Sequence, residues 1–152
     1  MSVLRVLVIE DGFEYSETLE RFLADGFHWE RSGSGPRALS RLSEASFDLL
    51  FLDMRFDRAP QAELIGDLAA VADQFNGDPV QARNFLEDHQ GNYILAAIRE
   101  QGHQTPVLMS YDFDIEPRRW ERLSQRYAPV DYLPDSASPA DIARLLKGLA
   151  GL

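Results

Sequence analysis

Three acidic residues have the side-chain type and the position needed to bind a divalent cation. Glu10 and Asp11 end the apolar run VLRVLVIED, and Asp53 ends the apolar run FDLLFLD. If these runs are neighbouring parallel strands, their carboxyl ends lie at the same edge of the sheet and the three carboxylates converge there. Carboxylate oxygens are the ligands that hard cations prefer. The spacing therefore favours an ion site that can also accept phosphate, over solvated loop acids and a turn cap at Asp53.

The composition indicates a folded, strongly acidic protein. Of its 152 residues, 45% are apolar and 11% aromatic, which suits a single core. Twenty-five acidic against 15 basic residues give a net charge of −10, which disfavours nucleic acid or an anionic membrane surface as the main partner. The absence of cysteine excludes disulfides and thiolate chemistry. Neither a signal sequence nor an apolar run of about 18 residues is present, so we expect a cytoplasmic protein without a membrane partner.

Short apolar runs alternate with helical periodicity, which is typical of an α/β protein with a mostly parallel sheet. The five predicted strands are Leu4 to Ile9, Phe27 to Arg31, Asp48 to Leu52, Pro106 to Met109 and Val130 to Leu133. Helices are predicted over 36–42, 117–127 and 139–149, after a first one that presents a single apolar face made of Tyr15, Leu19, Phe22 and Leu23.

One connection is longer than a crossover helix requires. Such a crossover needs about a dozen residues or slightly more, whereas 52 residues separate Asp53 from Pro106. The excess carries an apolar stripe at helical spacing, formed by Leu64, Ile65, Leu68, Val71, Ala72 and Phe75. A turn at residues 76–79 then begins another helix, so we predict an extra helical hairpin within an insertion of approximately residues 57–90.

The insertion is also strongly acidic. It holds seven acids and two arginines, a net charge of −5 and half of the charge of the chain. We favour an interpretation in which the stripe packs onto its own domain and the acids face water. The alternative is a docking surface for a basic partner or a homodimer contact, for which the candidate residues are Leu64, Leu68 and Phe75.

Four segments resemble, in order, the receiver domain of two-component response regulators. They are VLRVLVIEDGFEYSETLERFL, FDLLFLDMRF, GNYILAAIREQGHQTPVLMS and APVDYLPDSASPADIARLL. The resemblance covers nearly the whole chain except roughly residues 57–90. It implies a flavodoxin-like, doubly wound sheet of five parallel strands in the order 2-1-3-4-5, with the extra hairpin between strands 3 and 4. Residues 1–152 are then expected to form a single receiver-like domain without an output domain.

The same resemblance implies a role for each acid. Asp53 would be the phosphoacceptor, with a histidine kinase or a phosphotransfer protein as the donor. Glu10, Asp11 and Asp53 would hold Mg²⁺ together with the backbone carbonyl of Arg55. A cation is needed there because the transferred phosphoryl group and its ligands are all anionic.

The chain departs from the receiver pattern at the position of a lysine. Receivers carry that lysine before a proline after strand 5, and counting on from Tyr132, which resembles the switch aromatic, puts Asp135 in its place. Lys147 is the only lysine in the chain and belongs to the last predicted helix. Arg55 and Arg58 are the nearest substitutes, although a planar guanidinium is a different donor from an ammonium.

The switch hydroxyl of strand 4 is displaced as well. Ser110 comes one position early, and Tyr111 stands at the usual spacing. A shift of one residue turns a side chain to the opposite face of a strand, so only one of the two points at the pocket. We predict Ser110. Asp112 and Asp114 add negative charge near the mouth of the pocket.

The helix predicted over 117–127 is the only basic segment. Its arginines are Arg118, Arg119, Arg122 and Arg126, interleaved with Glu116 and Glu121. This pattern favours an exposed, ion-paired helix over a DNA-recognition helix, and such a helix can still meet an acidic partner.

Two classes of function compete. The first is a stand-alone receiver that accepts a phosphoryl group on Asp53 and switches the surface of strands 4 and 5 and the last two helices. The second is a receiver-like scaffold that binds a downstream protein constitutively through the insertion. We favour a two-component signalling protein with atypical or lost Asp53 phosphorylation that acts through protein–protein interaction. It is not expected to be an enzyme beyond self-catalysed phosphoryl transfer.

Overall fold

Five parallel strands form one sheet in the order β2-β1-β3-β4-β5. In the computed structural model, which describes residues 3–152, the strands are β1 (Leu4–Ile9), β2 (Phe27–Ser32), β3 (Leu49–Asp53), β4 (Val107–Ser110) and β5 (Val130–Tyr132). The fold class and the strand order are those predicted from the sequence, and the strand boundaries differ from the predicted ones by one residue. The parallel order places the carboxyl ends of β1 and β3 side by side at the middle of the sheet.

Helices cover both faces of the sheet. Their bounds are α1 (Glu14–Phe22), α2 (Gly35–Glu44), α3 (Leu68–Asp73), α4 (Pro79–Asp88), α5 (Gln90–Glu100), α6 (Pro117–Tyr127) and α7 (Pro139–Leu149), and a 3-10 turn covers Gln61–Glu63. Helices α2, α5 and α6 contribute to the core on one face, and α1 and α7 to the core on the other. Within residues 3–152 no helix is long and apolar enough to cross a membrane.

The central strands are apolar because both of their faces are covered. In β3, Leu50 and Leu52 pack into the core beneath α2 and α5, whereas Leu49 and Phe51 pack beneath α1 and α7. All four side chains are fully buried. Alternation along the strand turns the next residue, Asp53, toward the face that carries α1.

The first helix differs from its prediction in one residue. Leu19 is buried, and Tyr15 and Leu23 pack against the same core. Phe22 was assigned to this face and is 59% exposed, so that assignment was wrong. Its ring lies instead against the guanidinium of Arg21, whose carbon is 5.4 Å from the ring centroid.

The predicted hairpin is present, but its first helix is shorter than the apolar stripe suggested. Leu64 is extended, and Gly66 has a φ of +128°, a conformation that interrupts a helix and favours glycine. Asp67 then caps α3, accepting a hydrogen bond from the backbone N–H of Ala70. The turn before α4 agrees with its prediction, because Asp78 caps that helix through the backbone N–H of Val80 at 2.9 Å.

The apolar side of the hairpin faces its own chain. Val71, Ala82 and Leu86 form a small buried core, against which the three predicted surface candidates pack together with other partly buried residues: Leu64, Leu68, Phe75, Ala72, Phe85 and Tyr93. Leu64 also contacts the main core. The large apolar side chain that the insertion does expose is Val80, at 65%.

One buried amide ties the start of the insertion to α5. Gln90 is 1% exposed, and its Oε1 accepts the backbone N–H of Ile65 at 2.7 Å. Its Nε2 donates to the carbonyls of Ile65 at 3.0 Å and Leu86 at 3.2 Å. The Gln90 side chain therefore satisfies the backbone N–H and the backbone carbonyl of Ile65, which lies outside the helices and has no helical hydrogen bonds.

We expect Gln90→Ala to lower the free energy of unfolding by about 2 kcal/mol, because it leaves the backbone groups of Ile65 without their partner. The matched control is Gln81→Ala, since Gln81 is exposed and its side chain donates only to Asp78 within the described residues. That change is expected to stay within about 0.5 kcal/mol. Urea denaturation of the two variants measures the difference, and equal effects would contradict the anchoring role of Gln90.

Candidate functional site

The three predicted acids lie at one edge of the sheet. Ile9 is opposite Leu52 in the pairing of β1 with β3, so Glu10 and Asp11 follow β1 where Asp53 ends β3. Their mutual influence is electrostatic, because the charges of Asp11 and Glu10 both raise the pKa of Asp53. The geometry therefore brings together the residues that the sequence placed at the carboxyl ends of these strands.

Glu10 is a buried cap for α1. One of its carboxylate oxygens accepts the backbone N–H of Tyr15 at 3.1 Å, and the other accepts that of Ser16 at 2.7 Å. The formal N-cap of the helix, Phe13, provides no side-chain cap. Burial raises the pKa of Glu10, and the two N–H groups oppose that shift. Both oxygens thus satisfy helix donors that have no partner within the helix.

Asp11 is held by an arginine that begins the insertion. Its side chain is 2% exposed, and its Oδ2 accepts the backbone N–H of Arg58 at 2.6 Å. The guanidinium of Arg58 lies 3.5 Å from Asp11 Oδ1 and donates twice to Glu14, at 2.7 and 3.0 Å. These contacts lower the pKa of Glu14 to about 2 and raise that of Arg58. We call Asp11, Glu14 and Arg58 the arginine clamp.

Gly12 provides the space for this clamp. A Cβ atom at position 12 would collide with the guanidinium of Arg58 and with the carboxylate of Glu14. The backbone carbonyl of Gly12 also accepts a hydrogen bond from Arg31 Nε at 2.5 Å. The sequence analysis missed this role of Gly12, although a glycine directly after an acidic pair was a usable signal of close approach.

The donor set does not match a magnesium site in this arrangement. Mg²⁺ needs near-octahedral oxygen ligands at short distances. Both oxygens of Glu10 are engaged by helix N–H groups, and Asp11 faces a guanidinium. Within residues 3–152, no group of three or more His, Asp or Glu side chains is placed to hold a metal ion. Magnesium binding by Glu10, Asp11, Asp53 and the carbonyl of Arg55 therefore stays a prediction.

Asp53 is a carboxyl group with a high proton affinity. Its pKa is raised from 3.8 to about 6, mainly by burial and also by the charges of Asp11 and Glu10, while the N–H of Met54 and the charge of Arg58 act in the opposite direction. The Met54 N–H donates to Asp53 Oδ1 at 2.8 Å. The guanidinium of Arg58 and the N–H of Met54 therefore only partly compensate the burial of this carboxylate.

Tyr15 is a pocket residue that the sequence analysis placed only in the core. Its ring packs against Phe51 with the centroids 5.0 Å apart. Burial raises the pKa of its phenol, the charges of Asp53 and Glu10 raise it as well, and the hydroxyl of Ser110 lowers it. The phenol is therefore close to the acids and to Ser110, on the face of the sheet that carries α1.

Ser110 and Tyr111 occupy opposite faces of β4. Ser110 is the pairing partner of Asp53 in the sheet, which puts the two side chains on one face. Tyr111 packs against the core of the other face, and its hydroxyl donates to Glu116 at 2.6 Å. Of the two candidates, Ser110 is therefore the one that shares a face with Asp53. Its role as a switch hydroxyl remains a prediction.

The position of the missing lysine holds an anion near the pocket, because the charge of Asp135 contributes to the raised pKa of Tyr15. Asp135 is exposed, and its backbone N–H donates to Asp112 at 3.0 Å. Tyr132, the predicted switch aromatic, donates its hydroxyl to Asp114 and packs at 4.7 Å from Trp120. Asp112 and Asp114, which were predicted to add charge at the mouth, thus act as acceptors that hold the loop after β4.

A cleft opens beside Asp53 on the side of the insertion. Its volume is about 490 Å³, and it is lined by Asp53, Met54, Arg55, Asp88, His89, Ser110, Tyr111 and Arg119. Arg55 pairs across this region with Asp88 at 3.3 Å and with Asp57 at 3.4 Å. The insertion therefore supplies one wall of the cleft through Asp88 and His89, which the sequence analysis did not anticipate.

The wall is fixed by a close approach of backbones. Gly91 donates its N–H to the carbonyl of Met54 at 2.9 Å, and Phe56 donates to the carbonyl of Glu87 at 2.9 Å. A Cβ atom on Gly91 would lie 2.5 Å from the carbonyl oxygen of Asp53 and 2.8 Å from the Cα of Met54. Any side chain at position 91 would therefore push against the loop that follows Asp53.

We expect Gly91→Ala to destabilise the protein by about 2 kcal/mol, because the new methyl group overlaps the backbone of Asp53 and Met54. Gly148→Ala is the matched control, since Gly148 is also in a helix and a Cβ atom there would have no neighbour within 4 Å. That change is expected to stabilise by roughly 0.5 to 1 kcal/mol. Thermal denaturation distinguishes them, and stabilisation by both would show that the approach at Gly91 is not tight.

We expect Asp53→Asn to stabilise the protein at pH 8 but not at pH 4. The pKa of Asp53 is raised from 3.8 to about 6, so the folded state holds a proton that the unfolded state releases between these values, and stability is lost as the pH rises through this window. A shift of this size corresponds to roughly 1 to 3 kcal/mol at pH 8. Denaturation at both pH values measures the effect, with the exposed Asp25→Asn as control. Equal stability of wild type and Asp53→Asn at pH 8 would contradict it.

Comparisons with known proteins identify the fold. No protein-family model and no curated protein matches the sequence. Among solved structures, the receiver domain of the Francisella response regulator 1452 is 16% identical, with 97% of each chain covered and a TM-score of 0.67. The receiver domain of NtrX from Brucella abortus is 15% identical, with 96% of this chain and 98% of that chain covered and a TM-score of 0.66. For the chemotaxis protein CheY4 of Vibrio cholerae the identity is 17%, the coverage 97% and 99%, and the TM-score 0.63.

These similar structures are response regulator receiver domains, and the matches cover 96 to 97% of this chain. Their sequence identities of 15 to 17% leave the details of the acidic site to this chain's own residues. The strand order 2-1-3-4-5, with helices on both faces, is the order that the resemblance implied. The chain therefore has the fold of a response regulator receiver domain.

Proposed function

We propose that this chain is a receiver-type signalling protein that acts through protein–protein interaction and in which phosphorylation of Asp53 is atypical or lost. One observation carries the proposal: the arginine clamp puts the guanidinium of Arg58 against the acid that would otherwise bind a metal ion. The clamp is part of the chain itself, so the charge that it supplies does not depend on a dissociable ion.

The clamp competes directly with a divalent cation. Asp11 is almost fully buried and receives both the backbone N–H and the side chain of Arg58. A metal ion at Asp11 would have to displace a guanidinium that Glu14 holds in a bidentate contact. The Arg58–Glu14 pair is itself exposed, so the stronger obstacle to a metal ion is that both oxygens of the buried Asp11 side chain already face Arg58. The wild-type chain is therefore expected to bind Mg²⁺ weakly at most.

The opposite side of the pocket also lacks the cation that phosphoryl transfer needs. Asp135 stands at the lysine position and is exposed, and Lys147 lies in α7. The phenol of Tyr15 and the hydroxyl of Ser110, which lie on the α1 face, are neutral donors. A phosphoryl group on Asp53 would thus be close to the charges of Glu10 and Asp11, where the guanidinium of Arg58 is already paired with Asp11 and Glu14.

A second candidate function is a working phospho-switch. It is favoured by the cleft beside Asp53, where Ser110, Arg55 and Arg119 could contact an anion. In that case Mg²⁺ would bind after the clamp opens, and a histidine kinase or a phosphotransfer protein would be the donor.

A third candidate is a constitutive scaffold that uses the insertion. The inward packing of Leu64, Leu68 and Phe75 leaves its acidic exterior, more than its apolar stripe, as the surface for a basic partner.

We predict that removal of the guanidinium creates a magnesium site. The wild type is expected to show no change in Tm with Mg²⁺ at millimolar concentration and no mass gain with Mg²⁺ and acetyl phosphate. In Arg58→Gln, Mg²⁺ is expected to raise the Tm, since a ligand that binds only the folded state stabilises it. Arg37→Gln is the control, because Arg37 also makes a surface pair, with Glu63 at 2.7 Å, but lies outside the acid pocket.

The outcomes separate the candidates. A phosphoryl adduct on the wild type that disappears in Asp53→Asn would overturn the proposal in favour of the phospho-switch. An Mg²⁺ response in the wild type equal to that of Arg58→Gln would remove the clamp as the cause. A response of Arg58→Gln alone, without an adduct on the wild type, supports a receiver whose metal site has been replaced by a side chain.

A further inference from the structure

A groove runs between α5 and α6 on the face of the molecule next to the Asp53 cleft. Its volume is about 350 Å³, and it is lined by Asn92, Tyr93, Ala96, Arg119, Arg122, Leu123, Arg126 and Tyr127. Arg119 also lines the Asp53 cleft, so the groove and the cleft share one wall. The groove is thus an aromatic and aliphatic channel with arginines along one side.

The charge of the groove is opposite to that of the protein. The chain carries a net charge of −10, whereas α6 supplies three arginines to the groove and no acid. Arg119 pairs with Glu116 at 3.3 Å. Arg122 and Arg126 make no ion pair with any other residue in the range 3–152. An anionic partner can therefore pair with them without displacing an internal contact.

An unpaired acceptor lies in the same groove. The Oδ1 of Asn92 is buried and has no hydrogen-bond donor among the described residues. A buried carbonyl oxygen without a donor is costly, and native proteins rarely leave one unpaired. Because this oxygen is buried in the unbound protein, the Asn92 side chain has to rotate toward the groove before the N–H of a docked group can satisfy it. The groove is therefore suited to a ligand that carries both negative charge and hydrogen-bond donors.

The first turn of an α-helix has both properties. Its first backbone N–H groups have no partner within the helix, and acidic side chains are favoured there by the helix dipole. An apolar side chain one turn further on could enter between Tyr93 and Leu123, which line the two sides of the groove. The need for hydrogen-bond donors favours a protein segment over the backbone of a nucleic acid, because phosphate oxygens are acceptors and cannot satisfy the Asn92 oxygen.

We propose that the α5–α6 groove binds the acidic N-terminal turn of a helix in a partner protein. Acidic side chains of that turn pair with Arg122 and Arg126, and its free N–H groups face Asn92. This inference rests on the proposed function in that the chain acts by binding another protein, but it requires neither Mg²⁺ nor phosphorylation of Asp53. The groove is formed by α5 and α6, whereas the surface described in the sequence analysis is formed by β4, β5, α6 and α7.

A synthetic peptide tests the proposal. The probe is a fluorescein-labelled helical peptide that opens Ser-Glu-Asp-Glu-Leu, and its control has glutamine and asparagine in place of the acids. Fluorescence anisotropy is expected to show saturable binding of the acidic peptide to the wild type, weakened by salt. Arg122→Glu is expected to weaken it about tenfold or more, through loss of one pair and like-charge repulsion.

The matched control is Arg118→Glu. Arg118 belongs to the same helix, and its replacement changes the net charge equally, but the residue does not line the groove. It is expected to change binding less than about threefold, as for a distant exposed charge. Equal weakening by the two variants would show that the peptide follows the overall charge, and it would overturn the assignment of the groove.

A second variant tests the acceptor. Asn92→Leu removes the unpaired oxygen, so the Tm is expected to rise while peptide binding weakens. A fall in Tm with unchanged binding would give Asn92 a purely structural role and overturn its part in recognition.

Two further outcomes would overturn the choice of partner. One is the absence of acidic-peptide binding up to millimolar concentration. The other is a concentration-dependent dimer in sedimentation that Arg122→Glu abolishes, which would make a second copy of this chain the occupant. The peptide assay contains no Mg²⁺ and no phosphodonor, so its failure is distinguishable from a failure of the clamp.

Discussion

The burial of the two central strands is the constraint on which the site depends. The strands β1 and β3 are covered on both faces and lie side by side, so the residues that follow them are forced together at one edge. Those residues are acids, and carboxylates in a partly desolvated place need donors or counter-charges. The chain supplies helix N–H groups to Glu10 and a guanidinium to Asp11. Asp53 has the least compensation, and its raised pKa is the consequence.

The insertion and the acid pocket form one unit. Its beginning provides Arg58, which reaches back to Asp11 and Glu14. Its end provides His89 and Asp88 to the cleft, and the following Gly91 packs against the backbone of Asp53. Between these two ends, the apolar residues of the hairpin pack inward. A segment that could be taken for a surface appendage thus fixes the loop after Asp53 on both sides.

The sequence was informative where the physical signal was local or periodic. Apolar runs predicted the strands, and Asp78 with its following proline predicted a helix start, whereas the strand order was implied by the resemblance to receiver domains. The prediction of one continuous helix along the apolar stripe was wrong after Leu64, because Gly66 and the cap at Asp67 interrupt the helix. The clamp at Arg58 could not be predicted from the sequence for a different reason. It joins residues 47 positions apart, and such a contact depends on how the loops pack over the sheet. Only the proximity of Arg58 to Asp53 in the chain gave a hint.

A guanidinium neutralises buried acids in a different way from a magnesium ion. It carries one charge spread over a plane and has fixed hydrogen-bond directions, whereas Mg²⁺ carries two charges and accepts oxygens on six sides. The first stabilises a closed arrangement of carboxylates, and only the second can also gather the oxygens of an incoming phosphoryl group. Under the proposed function, a chain that keeps Asp53 and Asp11 but connects Asp11 to Arg58 would retain the receiver fold without depending on the ion that drives the switch. The surface that binds the partner is then formed by folding alone, without phosphorylation. This is consistent with a binding groove formed by α5 and α6 in the unmodified protein.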